Sequence, residues 1–147
     1  MKEYIVKVYN DRTEWYNLKD ELHREDGPAV EHANSDKEWY LNGQRHREDG
    51  PAIECNSGDK EWYQNGVLHR EDGPAVEYAN SDKEWFLNGV LHREDGPAIE
   101  YSNGDKAWYI NGTKLTENEF KQRTQHVVEL TMEELVERLG YNIKIKK

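Results

Sequence analysis

His-Arg-Glu-Asp-Gly-Pro-Ala occupies residues 23–29, and the same heptapeptide returns unchanged at residues 46–52, 69–75 and 92–98. Successive copies are 23 residues apart. A fixed period of this size is typical of repeat architectures, in which each supersecondary unit stacks on the next. Fold and function therefore have to be argued from the repeat unit.

The repeat unit is longer than the heptapeptide, because tryptophans that are each followed by a second aromatic residue recur along the chain. The tryptophans are Trp15, Trp39, Trp62, Trp85 and Trp108, and the residues after them are Tyr16, Tyr40, Tyr63, Phe86 and Tyr109. Asn-Gly recurs at residues 42–43, 65–66, 88–89 and 111–112. This dipeptide is the strongest short signal for the type I′ turn of a β-hairpin. Each unit is therefore predicted to be one hairpin, with a strand through the tryptophan and a return strand leading into the heptapeptide.

The Glu-Asp-Gly-Pro part of each heptapeptide is predicted to interrupt the return strand. Proline has no N–H to donate to a β-ladder, and Asp-Gly favours a turn, so we expect a bulge or corner here. Hairpins stacked at a constant register would align the tryptophans in one row and the aromatic residues after them in another. Both faces carry large residues in every repeat, so the sequence leaves open which row is buried.

The predicted fold class is mainly β: an elongated, twisted antiparallel sheet of stacked β-hairpin repeats with a small C-terminal helix-helix-strand cap. Residues 1–13 are predicted to form an N-terminal half-repeat that caps the array with a strand. Residues 14–112 would form four tandem hairpin repeats of about 23 residues and a final half-repeat. Residues 113–147 would form the helical cap with a terminal strand.

Two capping-box sequences support this C-terminal prediction, Thr116-Glu117-Asn118-Glu119 and Thr131-Met132-Glu133-Glu134, since each is typical of a helix start. Residues 141–146 alternate like an edge strand whose lysines face water. The alternative is that this segment carries the specific activity, with Lys144, Lys146 and Lys147 contacting an acidic partner.

The pattern Trp-Tyr-x-Asn-Gly-x-x-His-Arg-x-Asp-Gly-Pro-Ala resembles the MORN repeat over residues 4–112. It is most similar to the MORN-like variant of small bacterial and bacteriophage proteins. The resemblance implies an array of β-hairpins. For a phage-encoded chain it implies an inhibitor of a host defence system, such as an anti-CRISPR protein, acting in the host cytoplasm.

Charge is concentrated in the array. Residues 113–147 carry seven Lys/Arg and six Asp/Glu, a net charge of +1. The whole chain has a net charge of −10, so residues 1–112 carry −11. Nucleic-acid binding draws mainly on Lys and Arg contacts to phosphate, and anionic membranes attract basic segments, so neither is an expected partner of the array. An acidic, elongated face suits a protein with a basic surface. The alternative is that the charge only keeps the protein soluble.

No stretch approaches the roughly 18 apolar residues that would span a bilayer, and the N-terminus lacks the layout of a signal peptide. The only cysteine, Cys55, stands where sister repeats have His32, Tyr78 and Tyr101 and is expected to be a packing residue. These features favour a cytoplasmic location.

The candidate partner-binding residues are the first three of each heptapeptide. They are His23, Arg24, Glu25, His46, Arg47, Glu48, His69, Arg70, Glu71, His92, Arg93 and Glu94. Consecutive histidines would lie two strands apart, roughly 10 Å, which is too far for one zinc ion with bonds of about 2 Å to nitrogen. The arginines would pair with carboxylates of neighbouring repeats. Alternatively, they would form with the aromatic rows a groove for an anion or a base.

No sequence motif of a catalytic site is present, and repeated identical residues do not supply the distinct roles that catalysis needs. We therefore expect a non-enzymatic protein-binding module without cofactor or metal. Two alternatives remain open: a nucleotide or small-anion sponge at the Arg and aromatic rows, and a structural or assembly protein that forms homo-oligomers.

Overall fold

The computed structural model describes residues 3–124 and Glu137. In this part of the chain the protein is mainly β, with 17 strands and one short helix. Eleven strands form one long antiparallel sheet, and the other six form three two-stranded sheets. The mainly β fold class, with a long antiparallel sheet, is thus confirmed. None of the described helical residues belongs to a helix that is long and apolar enough to cross a membrane.

The strands are, in chain order, β1 (Ile5–Val8), β2 (Arg12–Tyr16), β3 (Val30–His32), β4 (Lys37–Glu38), β5 (Tyr40–Leu41), β6 (Gln44–Arg45), β7 (Ile53–Glu54), β8 (Lys60–Glu61), β9 (Tyr63–Gln64), β10 (Val67–Leu68), β11 (Val76–Glu77), β12 (Lys83–Glu84), β13 (Phe86–Leu87), β14 (Val90–Leu91), β15 (Ile99–Glu100), β16 (Lys106–Ile110) and β17 (Thr113–Leu115), and the helix is α1 (Glu117–Thr124). The long sheet has the order β1-β2-β3-β4-β7-β8-β11-β12-β15-β16-β17. Each central period therefore adds two strands to this sheet and sets a short hairpin, β5–β6, β9–β10 or β13–β14, apart from it.

The strand predicted to run through each tryptophan is interrupted at that residue in the three central repeats. Trp39 shows the physical reason. Its N–H donates to the Ala52 carbonyl, while its own carbonyl accepts from the His46 N–H. Residues 47–51 leave the ladder between these two partners, so the chain changes partner strand at the tryptophan. Residues 48–50 form a bend where the corner was predicted. The unit is not the single continuous hairpin that was predicted, because its strands are divided between the long sheet and a separate short hairpin.

The Asn-Gly turns have the predicted type I′ conformation. Asn42 and Gly43 have φ values of 50° and 77°, and the other three dipeptides are similar. Across the turn, Tyr40 pairs with Arg45 and Leu41 with Gln44, so two residues form the hairpin loop. Positive φ at both central positions matches the right-handed twist of the flanking strands, and asparagine and glycine adopt it at low cost.

The alanine that ends each heptapeptide and the aliphatic residue that follows it form most of the core. Ala29, Ala52, Ala75 and Ala98 are completely buried, and the next residues, Val30, Ile53, Val76 and Ile99, are at most 9% exposed. Neither aromatic row forms this core, since all five tryptophans and the aromatic residues after them are half-buried. The buried contact between repeats is therefore aliphatic.

Aspartates in the second turn of each unit join successive repeats. Oδ1 of Asp36, Asp59 and Asp82 accepts a 2.7 Å hydrogen bond from the backbone N–H of Asn56, Ala79 and Ser102 respectively. The hydrogen bond from the Asn56 amide holds the pKa of Asp36 below its ordinary value, and the Ser102 amide does the same for Asp82. These contacts fix the register of one repeat on the next.

The chain leaves the repeat pattern through α1. Thr116 Oγ1 accepts from the Glu119 N–H, and the Glu119 carboxylate accepts from the Thr116 N–H, which confirms the first predicted capping box. Phe120 is 6% exposed, and α1 packs on β16 and β17. The second helix predicted from Thr131 and the strand predicted at residues 141–146 lie outside the described residues.

Candidate functional site

The arginine of each heptapeptide is the centre of a four-part contact, here called the arginine clamp. In the second repeat, Arg47 Nε donates to Asp49 at 2.9 Å, and Nη1 donates to the Pro51 carbonyl at 3.1 Å and to Glu54 at 2.8 Å. Its guanidinium carbon lies 4.0 Å from the centre of the Trp39 ring. One charged group thus joins the corner, the following strand and the tryptophan.

The arginine clamp is the same in all four heptapeptides. Arg24, Arg70 and Arg93 each bond the aspartate two residues on, the proline carbonyl four residues on and the glutamate seven residues on. They stack on Trp15, Trp62 and Trp85 at 4.0–4.2 Å. The guanidinium bond holds the pKa of Asp49, Asp72 and Asp95 below the ordinary value.

The glycine of each heptapeptide makes room for the clamp. A Cβ atom on Gly50 would lie 2.9 Å from the Arg47 guanidinium carbon, and Gly27, Gly73 and Gly96 have the same contact with their own arginines. A side chain at this position would therefore have to displace the guanidinium from the clamp.

The clamp corrects one expectation about the ion pairs. The sequence predicted a ladder of arginines with carboxylates of neighbouring repeats, but the carboxylates bonded to Arg47 are Asp49 and Glu54, two and seven residues further along the same unit. The pairing is local because the corner turns the chain back over its own arginine. Successive units are joined instead by backbone bonds, such as Arg47 N–H to the Tyr63 carbonyl.

The histidines also join successive repeats. Nδ1 of His23, His46 and His92 accepts a 3.0–3.1 Å hydrogen bond from the backbone N–H of Asn42, Asn65 and Asn111, and His69 does the same for Asn88. Each histidine therefore holds the Asn-Gly turn of the next repeat. Nε2 points towards the glutamate two residues on, at 3.6–3.9 Å. The sequence predicted the histidines as candidate partner-binding residues, but it did not predict their hydrogen bonds to the Asn-Gly turns.

The glutamates of the heptapeptides, Glu25, Glu48, Glu71 and Glu94, form what we call the glutamate row. Their side chains are 51%, 89%, 85% and 77% exposed, whereas those of the clamp arginines are 20–22% exposed. Of the three residue types predicted as partner-binding, glutamate is thus the one presented to solvent. Arginine and histidine are largely occupied by contacts within the fold.

Three grooves lie between successive heptapeptides, with volumes of about 760, 600 and 540 Å³. The lining of each includes a tryptophan and the residue two positions after it, a pair that we call the floor: Trp39 and Leu41, then Trp62 and Gln64, then Trp85 and Leu87. The Arg-Glu-Asp segments of two consecutive heptapeptides also line each groove, and we call them its walls. Each groove thus carries four carboxylates and two guanidiniums.

A further cluster in the second repeat was not found from the sequence. Glu38 is bonded by His32 Nε2 at 3.1 Å, by the Tyr40 hydroxyl at 2.9 Å and by Arg45 Nη2 at 3.1 Å. Burial opposes ionisation of Glu38, but these hydrogen bonds outweigh it and keep its pKa below the ordinary value. The only sequence signal was that His32 and Arg45 stand where sister repeats have other residue types. All of these groups are already partnered, which favours a structural role.

Glu84 occupies the equivalent position in the fourth repeat but lacks the tyrosine. The hydroxyls of Tyr40 and Tyr63 donate to Glu38 and Glu61 at 2.9 and 2.8 Å, whereas Phe86 stands two residues after Glu84. Burial, together with the nearby carboxylates of Asp82 and Glu61, raises the pKa of Glu84. Ionised Glu84 therefore destabilises this repeat.

We expect Phe86→Tyr to raise the free energy of unfolding by about 0.5–1.5 kcal/mol at pH 7, because the new hydroxyl would donate to ionised Glu84. Because folding raises the pKa of Glu84, protonated Glu84 stabilises the folded protein. This stabilisation is complete below the ordinary pKa of glutamate, about 4.3, and is lost as pH rises through the raised pKa. The gain from Phe86→Tyr should therefore be smaller at pH 4. Urea unfolding at both pH values measures this.

Tyr63→Phe is the matched control, and it should destabilise the third repeat by a similar amount at pH 7. Equal stabilisation by Phe86→Tyr at pH 4 and pH 7 would contradict the assignment to Glu84.

Among the residues that the structure describes, no group of three or more His, Cys, Asp or Glu side chains is arranged to hold a metal ion. Comparison of the chain with protein-family models, with curated proteins and with solved structures found no match.

Proposed function

We propose that this protein is a non-enzymatic protein-binding module whose glutamate row and grooves dock on a basic surface of another protein. The observation that carries the proposal is the exposure of the glutamate row beside arginines that are bonded inside the fold. Each clamp arginine bonds two carboxylates of its own repeat, such as Asp49 and Glu54 for Arg47, so each clamp keeps a net negative charge and the charge presented outward is acidic. A basic partner gains from this complementarity mainly in association rate and specificity.

Periodicity also supports a macromolecular partner. Each period adds two strands to the long sheet, so consecutive glutamates of the row are roughly 10 Å apart at about 4.8 Å per strand. Four glutamates then extend over roughly 30 Å, which exceeds a small ligand and suits an extended protein surface.

In its narrower form, the proposal is that residues 4–112 are stacked MORN-like hairpin repeats closed by a C-terminal cap. The chain would then be a phage-encoded inhibitor of a host defence system, such as an anti-CRISPR protein, active in the host cytoplasm. It would occupy a basic surface that otherwise binds nucleic acid. The repeat pattern and the acidic array support this form of the proposal. The array itself would bind neither nucleic acid nor membrane directly.

We prefer protein binding to the alternative of a nucleotide or small-anion sponge. An anion would need guanidinium donors, and three of the donors of Arg70 are used by Asp72, the Pro74 carbonyl and Glu77. The Trp62 ring that a base would stack on is covered on one side by the same arginine. Isothermal titration with a panel of nucleotides tests the sponge directly.

Neutralising the glutamate row tests the proposal. In the variant Glu25→Gln, Glu48→Gln, Glu71→Gln and Glu94→Gln, we expect capture of the host partner in a pull-down to fall by at least tenfold, because about 1.4 kcal/mol of lost attraction suffices for that change. The partner should be identified by mass spectrometry with the unaltered chain, and the variant should then be measured against that purified partner.

The matched control raises the net charge by the same amount at another place. Ala33, Asn56, Ala79 and Ser102 are exposed residues of the turns between repeats, and their replacement by lysine also adds four positive charges. This control should bind the partner more strongly than the neutralised glutamate row does. Equal losses of binding in both variants would show that only the net charge of the protein matters. Unchanged binding in the glutamate variant would refute the proposal.

A further inference from the structure

The three inter-repeat grooves differ from a plain acidic surface, because each combines charge with an apolar floor. In the first groove, Trp39 and Leu41 line the same space as Glu25 and Glu48. A long cationic side chain fits such a site, since its methylene stem can cover apolar surface while its charged end reaches the carboxylates. A short or apolar side chain would use only one of the two features.

In each groove the carboxylates outnumber the guanidiniums. The second groove has the carboxylates of Glu48, Asp49, Glu71 and Asp72 against two guanidiniums. Both guanidiniums belong to arginine clamps, in which each also bonds a glutamate further along its own repeat. The groove therefore attracts a cation and repels an anion.

At the ordinary spacing of β-strands, the distance between consecutive grooves matches the repeat of one extended backbone conformation. Consecutive grooves are separated by two strands of the long sheet, which corresponds to about 9.4–9.8 Å. A polyproline II helix has three residues per turn and a rise of about 3.1 Å, so every third side chain returns to the same face after about 9.3 Å. In a β-strand, residues three apart point to opposite faces, and two turns of an α-helix advance about 10.8 Å.

We propose, on the basis of the function proposed above, that the grooves bind a basic polyproline II segment with arginine or lysine at every third position. One cationic side chain enters each of the three grooves. A clamp arginine covers one side of each of these tryptophans, so the remaining surface of the ring serves as the aromatic surface on which such segments dock. Polyproline II is already ordered before binding in this mode. The glutamate row and the clamp aspartates hold the cations.

Two synthetic peptides of equal composition test this inference on the full chain. The first is Arg-Pro-Pro repeated three times, and the second has three adjacent arginines followed by six prolines. By isothermal titration, we expect the spaced peptide to bind about tenfold more tightly, because its second and third arginines enter neighbouring grooves without a new bimolecular step. Equal affinities of the two peptides would overturn the inference.

Variants of the groove floors separate insertion from charge. The double variant Leu41→Trp, Leu87→Trp fills two grooves without changing any carboxylate, and it should bring the affinity for the spaced peptide close to that for the clustered peptide. Leu18→Trp is the control, since Leu18 is 72% exposed and does not line a groove. Gln64→Leu gives the middle groove the floor of its neighbours, so it should raise the affinity for the spaced peptide about twofold to threefold, as expected for a small gain of apolar contact.

The outcomes also separate this inference from the proposed function. If both peptides bind equally and the neutralised glutamate row binds each of them more weakly, the acidic docking surface stands and the polyproline II ligand is wrong. If neither peptide binds and the neutralised glutamate row leaves partner capture unchanged, both are wrong.

Discussion

Replacing Arg70 by alanine is expected to lower the free energy of unfolding by about 2–4 kcal/mol. The side chain is 22% exposed and bonds Glu77 and the Pro74 carbonyl, each at 3.1 Å. Hydrogen bonds from a charged donor contribute about 1.5–3 kcal/mol, and stacking on Trp62 adds about 0.5–1 kcal/mol or more. The bond to exposed Asp72 adds little, since exposed ion pairs are screened by solvent.

Two controls separate the clamp from charge alone. Arg70→Lys keeps the positive charge but cannot form the fork of donors, so most of the loss should remain. Lys83→Ala removes an exposed cation of the long sheet and should change stability by less than about 0.5 kcal/mol. Denaturant unfolding followed by tryptophan fluorescence gives the comparison. A lysine variant as stable as the unaltered chain would show that the clamp contributes only a charge.

Ala75→Leu is expected to destabilise the protein by about 1–3 kcal/mol, because added methylene groups in a well-packed interior force side chains and backbone to move. Ala75 is completely buried, and its carbonyl accepts a 2.8 Å hydrogen bond from the Trp62 N–H, at the point where the chain changes partner strand. A displaced Ala75 would therefore weaken the contact that joins the long sheet to the β9–β10 hairpin.

Ala79→Leu is the matched control, because Ala79 lies four residues further on and is exposed. It should change stability by less than about 0.5 kcal/mol. The measurement is thermal unfolding followed by circular dichroism, with the two variants side by side. A melting temperature for Ala75→Leu equal to that of Ala79→Leu would show that the alanine position has room for a larger side chain.

Local backbone features were predictable from the sequence because they depend on a few adjacent residues. The type I′ turn at Asn42-Gly43 follows from the positive φ that both residues tolerate, and the corner follows from Asp-Gly-Pro. The capping box of α1 follows in the same way from Thr116 and Glu119. The exposure of the glutamate row could also be predicted from the sequence, since a charged residue in a corner rarely becomes buried.

The sequence by itself determined the 23-residue period, the turns, the corner and the acidic balance of residues 1–112. Only the tertiary structure decided that Arg47 stacks on Trp39, that His46 holds the turn at Asn65 and that small aliphatic residues, not the aromatic rows, form the core. These partners are 8 to 19 residues apart in the chain. Each repeat offers the same arginine, histidine and asparagine, so the sequence alone does not show which of them meet. Their pairing depends on how the corner redirects the strands, and the strands take these positions only when the repeats are packed.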